Sequence, residues 1–383
     1  MKVAIQFGAG SIGRGFLGQL FSQSGYETVF IETREEIVAC LNRTHSYRLK
    51  IVGKGSRELV IRRVRAINAR NTEKIGKEIE KAEIMATAVG ARNLSAVAFL
   101  VARGMSIRAD KKIEEPINLI ICENLPRASK FFRDYLLRQI DVKYQEYIDS
   151  HLGLVEAVVS RMVPLVPPEV QKRDLTFIMT EEYNKLPVDK KGFKGKIPRI
   201  KGMIPYDNLF AYEEQKLFIH NTGHTICAYL GYLKGYKYIW EAIEDRGIYK
   251  IVRGALEETG RALLRKHNFK LEEQQAHIKN LLERFANRAL GDTIVRVGRD
   301  PIRKLGPQER LIGAAKLAYQ YGITPENISR GIAAALLFEA EEDKEAKKLT
   351  QMRKKEGIDT VLRKICQIDL KDRLSVLIKK NLK

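Results

Sequence analysis

Cysteine is scarce in this chain: four among 383 residues, Cys40, Cys122, Cys227 and Cys366, with no Cys-x-x-Cys pair. That usage argues against a disulfide scaffold and a zinc ribbon, and it fits a reducing cytoplasm. Long apolar runs are also missing, and none approaches the roughly 18 residues of a membrane span. The first apolar run, Val3 to Phe7, ends at once in glycines without a small-residue cleavage site, so no secretory leader is expected. Acidic residues are in deficit, 47 against 68 Lys and Arg, for a formal net charge of +21. Such a surface attracts anions, whether nucleic acid, phosphorylated metabolites or acidic partners. The basic residues are spread along the whole chain, however, with no zinc-finger or basic-zipper spacing and no aromatic-interleaved stripe, so nucleic acid is not the expected partner. What is present, 44% hydrophobic and 30% charged residues, describes a soluble globular protein of two or three domains.

The first half alternates strands and helices. Strand signals at 3–7, 28–31, 84–89, 117–122 and 155–159 are interleaved with helical patterns at 14–23 and 34–42. Segments 47–52 and 58–64 alternate apolar and polar residues around Gly53-Lys54-Gly55, a hairpin signal. Strands alternating with helices predict an α/β domain, a Rossmann-type open parallel sheet with helices on both faces. From about Tyr206 strand signals fade and amphipathic helical patterns run to the end. Thr324-Pro325-Glu326 predicts a helix start with threonine as cap and proline at the first helical position. Stretch 188–201, with several lysines, two glycines and Pro198, places the expected boundary near 200: a nucleotide-binding domain 1–200 and a mainly α-helical domain 201–383.

Four groups of residues carry chemistry. Gly8-Ala9-Gly10-Ser11-Ile12-Gly13 follows the first strand and opens a helix. This is the spacing in which the first glycine permits the tight turn, the second admits a pyrophosphate and the third lets helix and strand pack closely. Glu32 stands 19 residues beyond Gly13 at the end of the second strand, where an acid binds a ribose 2′-hydroxyl and repels a 2′-phosphate. NAD is therefore the expected cofactor, although nearby Arg34 leaves NADP open.

The second group is Lys216-x4-Asn221-x2-His224. Projected at about 100° per residue, Lys216, His224 and Asn221 share one broad helix face. A lysine, an amide and an imidazole there suit a base, a carbonyl-polarising donor and a positioning group, or an ordinary polar face with a capping Asn. His220 and His224 are four apart as in zinc-binding helices, but Asn221 stands where a metalloprotease has glutamate and no third ligand suggests itself, so no metal is expected. Third, Asn124 closes Ile121-Cys122-Glu123-Asn124 at the carboxyl end of a strand, where open parallel sheets bind ligands or where an Asn simply turns the chain. Fourth, Arg299, Arg303 and Lys304 lie within six positions, either a phosphate clamp or a solvated face.

Together, the segments 7–16 (FGAGSIGRGF), 122–124 (CEN), 216–224 (KLFIHNTGH) and 296–305 (RVGRDPIRKL) resemble the polyol-specific long-chain dehydrogenases, over residues 1 to about 340 and more loosely to the end. The resemblance implies a Rossmann-type domain and a helical domain with the active site in the cleft between them. It further implies metal-independent hydride transfer between NAD(H) and C5 of mannitol 1-phosphate, the carbon that is the carbonyl carbon of fructose 6-phosphate. By position, Lys216 is the implied general acid/base, Asn124 and Asn221 the oxyanion hole, and His224 the residue that orients substrate. Two departures stand out. Ser160 replaces an acid found in some members before the residue matching Arg161, and either Glu213 or Glu214 could match a proton-relaying glutamate. Rival expectations are an enzyme of the same family acting on a free polyol or sugar acid, and a nucleotide-binding regulator without activity. The sequence leaves monomer and homodimer equally open.

Overall fold

A computed structural model describes residues 2–53 and 55–382. They form two compact units, 1–209 and 210–383.

The amino-terminal unit is built on a parallel sheet of six strands. These are β1 (Val3–Phe7), β2 (Glu27–Glu32), β5 (Val64–Asn68), β6 (Ile84–Thr87), β7 (Ile117–Ile121) and β8 (Leu152–Glu156), in spatial order β5-β2-β1-β6-β7-β8. Between β2 and β5 the chain makes β3 (Ser46–Ile51) and β4 (Arg57–Arg62). Counting only the sheet's own strands, the order is 3-2-1-4-5-6, and the topological switch lies between β1 and β6. Each strand divides its side chains between two cores. In β1, Ile5 and Phe7 join the residues under the helices Thr72–Lys81, Leu94–Asp110 and Ala128–Leu137. Ala4 faces the other way, with Ile120 of β7 and Val155 of β8, onto Phe16, Leu17, Leu20 and Phe21. Near-continuous apolar strands follow from this two-sided burial.

The hairpin strands β3 and β4 pair antiparallel from Ser46↔Arg62 to Ile51↔Arg57. Lys54, at the centre of the expected turn, lies outside the described residues. Strand β9 (Ile178–Thr180) adds to β3 in parallel, which the sequence reading missed because three residues carry no periodicity. The alternation of 58–64 runs on from β4 into Val64, the first residue of β5, and no signal marks the rest of that strand; Arg63, at φ 58°, makes the break. Stretch 188–201 connects β10 (Leu186–Asp189) to β11 (Met203–Tyr206), which pair in parallel.

Among the described residues, the carboxy-terminal unit is helical around one core. Helices Thr222–Leu233, Arg246–Lys266 and Glu326–Leu336 contribute Ile226, Val252, Leu256 and Ile332, all fully buried. Gly223 permits the close approach of two of them, because a Cβ there would stand 2.6 Å from Leu256 Cδ2. The expected start at Thr324-Pro325 is corrected in detail. The helix begins at Glu326, no side chain of its own segment caps it, and the carboxylate of Glu258 accepts from the N–H groups of Asn327 (2.8 Å) and Ile328 (3.1 Å). Glu258 thus supplies, from a neighbouring helix, the acceptor that a capping residue gives locally. Among the described residues no helix is long and apolar enough to cross a membrane.

Candidate active site

The glycine segment turns sharply out of β1. Gly8 has φ +88° and its N–H donates to Ile31 O at 2.8 Å. A Cβ on Gly13 would lie 2.0 Å from Gly8 O, so only glycine closes this turn, whereas Gly10 faces open space. Ala9 is buried, Ser11 is exposed, and Ile12 is partly buried against the core that holds Phe16 and Leu17. The helix expected at 14–23 opens with two α-helical residues, 11–12, passes through a π turn, Gly13–Leu17, and continues as an α-helix over Gly18–Gln23. Buried Arg14 braces the turn: its Nε donates to Ala9 O at 2.6 Å, and its Nη1 to the carbonyls of Leu175 (3.3 Å) and Thr176. Tyr47 Oη donates to Arg14 O at 2.6 Å.

Glu32 is locked to the same loop. Its Oε2 accepts from Ala9 N at 3.0 Å, while its Oε1 accepts from Thr33 N (2.9 Å) and Arg34 N (3.1 Å). Burial pushes this carboxyl up, but the N–H groups of Arg34, Ala9 and Thr33 and the Arg34 guanidinium outweigh it and hold Glu32 below the usual carboxylate range. Its Oε2, with one donor against the several on Oε1, keeps acceptor capacity for a ribose hydroxyl. Asn124 is exposed just past the carboxyl end of β7. Its neighbour Glu123 is buried, accepting from Thr87 Oγ1 and from Val89 N at 2.9 Å, which clamps the ends of β6 and β7 together. Burial raises the Glu123 carboxyl above its ordinary value. Arg161, behind Ser160, donates to Glu181 O (3.0 and 2.7 Å) and Gln19 Oε1 (2.7 Å) and braces the fold.

In the carboxy-terminal unit the uniform 100° projection fails at the residues that matter. Lys216–Asn221 is a second π turn, between α-helices Leu209–Gln215 and Thr222–Leu233. A π turn holds one residue more than an α turn, so residues five apart stand roughly 40° from eclipsed instead of about 140°. Asn221 is thereby brought over Lys216, and both are half-buried while Phe218, Ile219 and His220 point into the core. Thr222 Oγ1 lies 3.2 Å from Leu217 O and donates to Arg310 O at 2.6 Å, so the hydroxyl serves carbonyls at the turn's edge. Glu214 is tied to Lys266 (2.7 Å) and His267 (2.6 Å).

His224 follows on the α-helix, stacked on Phe285 with ring centroids 4.9 Å apart. Burial, then Arg296, Lys304, Arg284 and Arg310, push its pKa down to about 3, and burial with Arg284 drives His220 well below its ordinary value. Both rings are neutral at working pH. Lys304, also buried, donates to Val297 O at 2.6 Å and to Arg299 O; burial and Arg310 lower its pKa to about 7. Arg303 is shared between Asp300 (2.5 Å) and Glu309 (3.0 Å), and Arg299 is exposed. Among the described residues no group of three or more His, Cys, Asp or Glu could hold a metal ion. The sequence reading passed over Asp292, Phe285 and Arg310, which surround His224 from elsewhere in the chain and carry no motif.

A glycine turn at the switch point of a 3-2-1-4-5-6 sheet, an acid at the end of the second strand, and a helical unit presenting lysine, amide and imidazole define a nucleotide-dependent dehydrogenase. The Mannitol dehydrogenase Rossmann domain model matches residues 2–202 and the Mannitol dehydrogenase C-terminal domain model residues 208–382. The chain belongs to the mannitol dehydrogenase family and is an oxidoreductase of the polyol dehydrogenase class. It is 36% identical over 382 residues to the mannitol-1-phosphate 5-dehydrogenase of Buchnera aphidicola subsp. Acyrthosiphon pisum (strain Tuc7), covering 99% of this chain and 98% of that one. It is 37% identical over 369 residues to the enzyme of the same name from Thermoanaerobacter pseudethanolicus, covering 96% and 94%. In fold it matches Pseudomonas fluorescens mannitol 2-dehydrogenase, solved as a ternary complex with NAD and D-mannitol, at TM-score 0.76 and 16% identity over 100% of this chain and 91% of that one. A D-sorbitol dehydrogenase in substrate-free form gives TM-score 0.83 at 17% identity, over 99% and 91%.

Proposed function

We propose that the chain is an NAD-dependent enzyme interconverting D-mannitol 1-phosphate and D-fructose 6-phosphate. The observation that carries this reading is the 36% identity over 99% of the chain to a mannitol-1-phosphate 5-dehydrogenase, with Lys216 and Asn221 sharing a π turn. The loop fits a dinucleotide: Gly10 leaves the backbone open, Gly8 and Gly13 close the turn, and Glu32 is ionised with an oxygen to spare for ribose. Gly8, Ala9, Gly10, Ser11, Ile12, Gly13 and Glu32 would hold the cofactor, which when bound supplies the hydride acceptor of polyol oxidation.

In that direction neutral Lys216 takes the proton of the C5 hydroxyl as hydride leaves C5; in reduction Lys216 returns it to the carbonyl oxygen. Asn124 and Asn221 donate to that oxygen as negative charge develops on it, a contribution of a few kcal/mol for each well-placed donor. His224, neutral, orients the sugar chain. Arg299, Arg303 and Lys304 are proposed to receive the phosphate. Lys304 still has one N–H beyond the two given to carbonyls, Arg299 carries the least committed charge, and Arg303 steadies the segment through Asp300 and Glu309. No metal enters the scheme. A cytoplasmic setting and a monomeric or homodimeric state complete the proposal.

The test mixes the protein with NADH and fructose 6-phosphate, without added metal, with fructose and fructuronate in parallel. Oxidation of NADH restricted to the phosphorylated sugar, and inhibited competitively by inorganic phosphate, is the expected result. Turnover of fructose or fructuronate instead transfers the protein to a free-polyol or sugar-acid activity.

A further inference from the structure

The neutral His224 ring has two tautomers, and only one suits any given hydrogen bond to substrate. A group must choose between them, and the carboxy-terminal unit holds a candidate on a rigid mount. Asp292 is buried; its carbonyl accepts from Ile239 N at 2.9 Å, and the flanking pair Tyr238 and Thr293 forms an antiparallel bridge. Thr293 caps the next short helix, Ile294–Gly298, by accepting from Arg296 N at 3.3 Å. That helix places Arg296 four residues on, where its guanidinium donates to Asp292 Oδ1. The other carboxylate oxygen, Oδ2, lies 3.4 Å from His224 Nε2. Phe285 stacks on the ring with 11° between planes and holds it in this orientation.

We propose that Asp292 is the positioning residue of this site: its Oδ2 accepts the Nε2–H of His224 and leaves Nδ1 bare, as an acceptor for a substrate hydroxyl. The proposal deepens the reading of His224 as the group that orients substrate and rests on that reading. It turns His224 from an unspecified polar contact into a hydrogen-bond acceptor, so it selects for a hydroxyl at the position it meets. Burial first, and then the cations Arg296, Lys304, Arg284 and Arg310, keep the ring uncharged and make tautomer choice the remaining variable. Arg296 has a second task, because by donating to Oδ1 it leaves Oδ2 for the ring.

This arrangement makes asparagine an inverting substitution. In Asp292→Asn the single amide oxygen is claimed by Arg296, which can only donate. The NH2 then faces Nε2, which must accept, and the proton moves to Nδ1. The two side chains have nearly the same shape, so the fold is retained. Removing Arg296 as well, in Asp292→Asn with Arg296→Met, frees the amide to turn its oxygen to the ring.

The experiment is 15N NMR of the full-length protein labelled at histidine, with the signal lost in His224→Gln assigning the ring. Expected is the Nε2–H form in the wild type, the Nδ1–H form in Asp292→Asn, and a return of Nε2–H in the double variant. In parallel, Asp292→Asn is expected to lower kcat/KM for the sugar phosphate about 100-fold, less than the roughly 10,000-fold that a wrong tautomer costs where the histidine is itself the base, with the NADH dissociation constant unchanged. A wild-type ring protonated at Nδ1, or an Asp292→Asn spectrum identical to the wild type, overturns the proposal. If Asp292→Asn does not fold, Arg296→Met alone must keep Nε2–H, and a change there is equally fatal. The tautomer is read without substrate, so a wild-type protein inactive on fructose 6-phosphate defeats the proposed function and leaves this readout standing.

Discussion

Each unit has a π turn next to or within its motif, and the two turns do opposite things with the extra residue. In Gly13–Leu17 all five residues are buried, and the widened turn is filled by Arg14, whose guanidinium satisfies carbonyls of Ala9, Leu175 and Thr176. In Lys216–Asn221, Phe218, Ile219 and His220 are buried but Lys216, Leu217 and Asn221 are half-buried. The first turn spends its irregularity on packing beneath a loop whose working surface is backbone. The second spends it on bringing two side chains five residues apart onto one side. A π turn is thus a geometric tool, and its neighbours decide whether it braces or presents.

Substitutions can break that contrast. Arg14→Ala should cost about 3 kcal/mol of stability, because buried carbonyls lose their donor, and should leave kcat nearly unchanged once the protein is folded. Thermal unfolding beside steady-state kinetics checks it; a large loss of kcat with normal stability would put the first turn in the same class as the second. Asn221→Ala should do the reverse, lowering kcat about 100-fold at nearly constant melting temperature.

Acid adds a finer test of the second unit. His220 and His224 are held neutral in the fold, but in the unfolded chain they take up protons below their ordinary pKa of about 6.5. Stability should therefore fall as pH drops below that value, down to about 3 for His224, by up to about 1.4 kcal/mol per pH unit for each ring. Denaturant midpoints between pH 7 and 5 measure it, and His220→Gln should flatten the slope. The smallest effect concerns Lys304, whose pKa of about 7 means that it loses its charge as pH rises from there. KM for the sugar phosphate should climb by up to several-fold between pH 7 and 9, while the KM for NADH changes little. A pH-independent KM would remove Lys304 from the phosphate site.

The amino-terminal unit was largely legible in the sequence because its signals are local. Apolar strands, a glycine turn and an acid at the next strand end each occupy a few consecutive residues, and β1, β2, β6 and β7 stand close to where the patterns put them. Three-residue β9 and the unmarked break at Arg63 gave no such pattern. In the second unit Lys216, Asn221 and His224 stood out as a motif, but their mutual geometry did not, since nothing in KLFIHN announces a π turn rather than an α turn. The groups around His224 come from distant segments, so only folding brings Phe285, Asp292 and Arg310 to it. The same holds for Glu258 capping Glu326–Leu336 in place of Thr324.

The central claim, that Lys216 on the second π turn moves the proton, is tested most directly by chemical rescue. Turnover of Lys216→Ala with NADH and fructose 6-phosphate would be measured with and without added ethylamine. The account predicts at least a 1,000-fold loss of kcat with NADH binding intact, and a partial recovery that grows with amine concentration and saturates. Turnover within tenfold of the wild type, or a dead variant indifferent to every amine, would contradict it.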